Sequence, residues 1–80
     1  MTASQRLERF RHLRHLYETR TATLVAQGAD DPFDPERRAI LDASRVVLHE
    51  GLPEPERAWS PEEQRRYRET LSSLLRPMRS

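Results

Sequence analysis

Ser60-Pro61-Glu62-Glu63 is a complete helix start. Ser60 stands at the cap position, Glu63 three residues on completes a capping box, and Pro61 pre-sets φ for the first helical residue. Upstream, Asp34-Pro35-Glu36 repeats the device: an acidic cap followed by a proline whose missing N–H costs nothing at that place. The two starts divide the 80 residues into three amphipathic segments joined by short loops. A chain of this length holds one domain, residues 1–80. The expected class is all-α: a small three-helix domain with a long first helix. No segment alternates with period two for long enough to suggest a strand.

The first helix is expected over about 3–27. Leu7, Phe10, Leu13, Leu16, Tyr17, Thr21 and Leu24 fall within roughly half a helical wheel, with Glu8, Arg11, His12, His15 and Glu18 opposite. Gly28 follows as a natural positive-φ stop. The second helix is expected over about 35–50. Its apolar residues, among them Ala39, Ile40, Leu41, Ala43, Val46, Val47 and Leu48, cover more than half the wheel, so it should be the most enclosed. Gly51 and Leu52 are expected to form its Schellman ending. The third helix is expected over about 61–76, with a narrow stripe of Tyr67, Leu71, Leu74, Leu75 and Met78. Pro32, Pro53 and Pro55 mark the two connections as non-helical.

Hydrophobic residues make up 35% of the chain and charged ones 34%, so one thin core is all the composition allows. A domain this small buries only about 60% of its unfolded surface. Completion by a partner, or by a second copy as a homodimer, would add burial that the lone chain lacks. Net charge is +1. Residues 1–27 carry five arginines against two glutamates, residues 28–56 three arginines against eight acids, and residues 57–80 six arginines against three glutamates. Basic ends thus flank an acidic middle, as expected where packed helices complement one another. All 14 basic residues are arginine. Arginine gives planar bidentate contacts, and a genome rich in G and C also favours its codons.

Cysteine is absent, which excludes disulfides, thiolate catalysis and cysteine-held metal clusters. No apolar run is long enough to span a membrane. Met1-Thr2-Ala3-Ser4-Gln5 lacks the basic-then-apolar order of a signal peptide, so cytoplasmic residence is the expectation. His12 and His15 share a face with Glu8, but their spacing is not the usual helical ligand pair and no fourth ligand is apparent. No metal and no cofactor are expected. No nucleophile, base and orienting group come together by spacing, so an enzyme is not expected; Arg14 and Arg20, at the borders of the first helix's apolar arc, are the residues an active site would recruit. Leu16-Tyr17 is followed by Glu18, so a Leu-Tyr-Arg motif is not completed.

The leading expectation is a small interaction module, an adaptor, chaperone-like factor or inhibitor of bacterial or phage type. It would act through the apolar face of the first helix and one loop aromatic. Phe10, Leu13, Tyr17 and Trp59 are the expected apolar anchors, and Arg6, Arg9 and Arg20 the charges around them. The alternative is a nucleic-acid-binding regulator using the basic faces of the first and third helices, centred on Arg65, Arg66 and Arg68. Phe33 is expected to tuck against the edge of the core.

Overall fold

The computed structural model describes residues 2–29, 31, 33–54 and 57–76. It contains three helices: α1 (Ala3–Ala26), α2 (Pro35–Val47) and α3 (Pro61–Leu75). Pro32, Pro55 and Met78, which enter the expectations above, lie outside the described residues.

Each helix begins where its cap residue dictates. Asp34 accepts from the Arg37 backbone N–H at 2.9 Å. Ser60 and Glu63 close the expected box, the Glu63 N–H donating to Ser60 Oγ and the Ser60 N–H to Glu63 Oε1. A second box opens α1: Thr2 Oγ1 accepts from the Gln5 N–H, and Gln5 Oε1 accepts from the Thr2 N–H. Thr-x-x-Gln is the same signature with different letters.

The helix ends differ. At α1, the Ala29 N–H reaches the Leu24 carbonyl and the Gly28 N–H the Val25 carbonyl, a Schellman pair with Gly28 at φ 67° as expected. The α2 ending corrects the sequence reading. The helix stops at Val47, not near residue 50. The Glu50 N–H donates to the Arg45 carbonyl and the His49 N–H to the Val46 carbonyl, so the Schellman turn closes on His49, at φ 61°, and Gly51, also left-handed at φ 84°, lies beyond it. Histidine tolerates that region better than branched side chains, though less well than glycine.

α1 and α2 form an antiparallel hairpin. Arg20 meets Asp34 and Glu36 near the loop, Thr21 meets Arg37, and Leu7 and Phe10 lie by Leu48 at the far end. α3 then runs in the same general direction as α2. The Arg57 guanidinium, just before α3, sits 4.9 Å over the Phe33 ring, just before α2. An Arg38 Nη donates to the Glu54 carbonyl, so the connection retraces α2 before α3 begins. No Cα of α1 comes within 8 Å of α3, so α2 is the shared wall. That accounts for the burial of Ala39, Ile40, Ala43 and Val47, although Leu41, on the same apolar arc, stays exposed.

The core is Leu13, Ala39, Ile40, Ala43, Val47 and Leu71, with Leu16, Tyr17, Tyr67, Leu74 and Leu75 packed around it. Two alanines on α2 are fully covered, and small side chains at a contact let neighbouring helices approach closely. Burying Leu13 alone is worth about 2–3 kcal/mol. Trp59 is buried and its ring stands 4.7 Å from that of Tyr67, centroid to centroid. The Tyr67 hydroxyl donates to Asp42 Oδ2 at 2.6 Å, and Arg38 Nε reaches the same carboxylate at 3.2 Å. Asp42 is 1% exposed, so this contact is a desolvated polar lock between α2 and α3. Burial, then the hydrogen bond to Asp42 and its charge, push the Tyr67 hydroxyl above its ordinary value. Ser44 Oγ donates back to the Ile40 carbonyl, as small hydroxyls within helices do.

Candidate functional site

The two ends of the α1–α2 hairpin are chemically unlike. At the loop end, Asp34 is buried and does two jobs. It caps α2, and it accepts both Arg20 Nε and an Arg20 Nη at 3.1 Å, a bidentate fork. A further Arg20 Nη lies 3.5 Å from Glu36. Arg37 donates to Thr21 Oγ1 and to the Asp31 carbonyl, and its guanidinium lies 5.7 Å over the Tyr17 ring. Burial alone would raise the Asp34 carboxyl. The Arg20 hydrogen bonds, the Arg37 N–H and the positive charges of Arg20 and Arg66 outweigh it and hold the group below the ordinary carboxylate range. This end is closed.

The other end is open. α1 has 24 residues and α2 has 13. At 1.5 Å per residue those are lengths of about 36 Å and 20 Å. Where α2 stops, the next apolar residues of the α1 stripe lose their cover. Ala3, Arg6, Leu7, Phe10 and Leu48 line an open groove of about 360 Å³ there. Leu7 is 51% exposed and Leu48 48%. Phe10 is half-buried between them and the core. Arg6 is half-buried too, and its Nε is screened from solvent with no hydrogen-bond partner. Among the described residues, Arg6, Arg9 and Arg11 make no ion pair, whereas Arg14 is taken by Glu18 at 3.4 Å.

The residues expected at a binding face separate accordingly. Phe10 and Arg6 line the groove, and Arg9 is half-buried on the same turns of α1. Leu13 and Trp59 are corrections: both are core residues, covered by α2 and by Tyr67 respectively, and present no anchor. Tyr17 packs on the core under Arg37. Arg20 is also a correction, because its guanidinium is committed to Asp34 and Glu36 rather than to a rim. Phe33 corrects the expected tuck in the opposite sense. It is 37% exposed, with Arg57 stacked over it and Glu63 holding Arg57 at 2.9 Å.

Ala3, Leu7 and Leu48 were not foreseen as site residues. Their signal was the length mismatch between the two helices, which only the register of the hairpin turns into a place. On α3, Arg65 and Arg68 are exposed among Glu62 and Glu69, and Arg66 is half-buried, its charge felt at Asp34. Among the described residues no three histidine, aspartate or glutamate side chains converge as a metal site, and no helix is long and apolar enough to cross a membrane. Comparison with protein-family models, curated proteins and solved structures gives no match.

Proposed function

We propose that the chain is a small protein-interaction module that docks a partner protein on the open end of the α1–α2 hairpin. The observation that carries this reading is the groove itself: Leu7, Phe10 and Leu48 gather large apolar side chains in one open trough at the surface, with an arginine at its edge. Buried side-chain atoms without a hydrogen-bond partner also occur at Asp42, Trp59 and Arg66, but Arg6 is the one that borders an open apolar groove. Arg14 and Arg20, the residues an active site would recruit, are engaged by Glu18 and by Asp34.

The test is a pull-down from native extract, with and without nuclease, comparing the wild type with Leu7→Asp and Val25→Asp. Val25 is also exposed (58%), but at the closed end. The reading expects a nuclease-resistant protein that Leu7→Asp loses and Val25→Asp keeps. Recovery of nucleic acid alone, lost when Arg65, Arg66 and Arg68 become alanine, would replace docking by the nucleic-acid reading.

A further inference from the structure

We infer that the groove's occupant is an acidic amphipathic helix, which seats an apolar side chain between Leu7, Phe10 and Leu48 and offers a carboxylate to Arg6. The inference rests on the docking reading above and specifies its partner. The groove lies along α1 against the end of α2, and among the described residues there is no sheet edge onto which an extended peptide could add as a strand. An open apolar trough along a helix suits a second helix, read through anchors at i, i+3, i+4 and i+7.

Charge decides which helix. Arg6 lines the trough, and its Nε has no acceptor although it is screened from water. A guanidinium presents Nε–H and Nη–H as a fork that matches one carboxylate. The same chain shows the finished form of that contact at its other end, where Arg20 grips Asp34 with those same groups. Arg9, half-buried on the same turns, adds positive charge without an ion pair among the described residues. Against it stands exposed Glu50, two residues beyond Leu48, while Glu8 and Glu18 lie on the opposite side of α1 and Glu18 is engaged by Arg14. A basic helix would meet this rim with repulsion. So would a second copy of the chain, because a two-fold contact through the groove sets two copies of the same arginine-bearing surface against each other.

The experiment displays a library of short helical peptides with leucine or phenylalanine at the anchor positions and glutamate, glutamine or lysine randomised beside them. It is selected on the full-length chain and counter-selected on Leu7→Asp. Glutamate should be enriched beside the anchors. A selected peptide should bind Arg6→Gln on the order of tenfold more weakly than wild type. Arg6→Glu should lose the glutamate peptide and regain binding to its lysine counterpart. Enrichment of lysine or of neutral residues would overturn the acidic partner while leaving docking intact. No enrichment over the Leu7→Asp chain would overturn both. A dimer in sedimentation that Leu7→Asp dissolves would make a second copy the occupant and overturn the proposal.

Discussion

The hairpin's closed end and its open end are built from the same two helices, yet one is finished and the other is not. At the closed end a single carboxylate, Asp34, satisfies a helix N-terminus and an arginine together. At the open end an arginine of the same helix, Arg6, borders a trough of leucine and phenylalanine with its Nε unmatched. The contrast separates two uses of arginine. One ties the fold to itself, and the other borders an open groove with one N–H unpaired.

Breaking the closed end should have the largest effect on folding. Asp34→Ala removes the cap and strands a partly buried guanidinium, and should lower the unfolding free energy by about 3 kcal/mol in urea titration. A loss no larger than that of a surface substitution would mean that the Arg20 fork contributes little. A gentler change sharpens the same point through pH. A carboxyl held below its ordinary value in the fold contributes stability that is present above the unfolded value near 3.8 and is lost as pH falls through the lower folded value. Asp34→Asn, which still caps but cannot ionise, should therefore lose its stability deficit relative to wild type as the solution is acidified across that window. A deficit independent of pH would contradict the ion pair.

The helix ends offer a third comparison. α1 turns on Gly28 and α2 on His49, with the same pair of Schellman hydrogen bonds. His49→Gly should stabilise the protein by about 1 kcal/mol, since glycine enters the left-handed region without the Cβ clash. For a domain of this size that corresponds to a rise in melting temperature of about 4–8 °C. An unchanged or lower melting temperature would show that the histidine side chain makes compensating contacts. The smallest effect on folding should come from the open end. Leu7→Asp should change the unfolding free energy by no more than about 0.5 kcal/mol, because the site is half exposed, while it abolishes docking.

Much of this fold was written in local signals. Asp34-Pro35, Ser60-Pro61-Glu62-Glu63 and Gly28 place helix boundaries through backbone chemistry that acts within four residues. The enclosed character of α2 was legible in part: Ala39, Ile40, Ala43 and Val47 are buried, while Leu41 and Leu48, counted on the same apolar arc, are exposed. What stayed hidden depends on pairing across the chain. Nothing near Asp42 announces that it will be desolvated under Tyr67, twenty-five residues away. Likewise, Arg20 reads as a surface charge until the hairpin register brings Asp34 to it. Trp59 looked available because it lies in a connection, yet that connection doubles back along α2 and delivers it to Tyr67. The groove was half legible: the excess length of the first helix pointed to uncovered apolar surface, but which residues emerge depends on where α2 stops, and His49 ends it early.

The central claim is that the open end, and not the rest of α1, is the binding face. It is tested most directly by mapping backbone amide chemical shifts of the labelled full-length chain during titration with a selected acidic helix. The account predicts perturbations concentrated at Ala3, Arg6, Leu7, Phe10 and Leu48, with the amides around Thr21, Val25 and Arg37 unmoved. Perturbations centred on the Asp34 end, or along the arginines of α3, would contradict it.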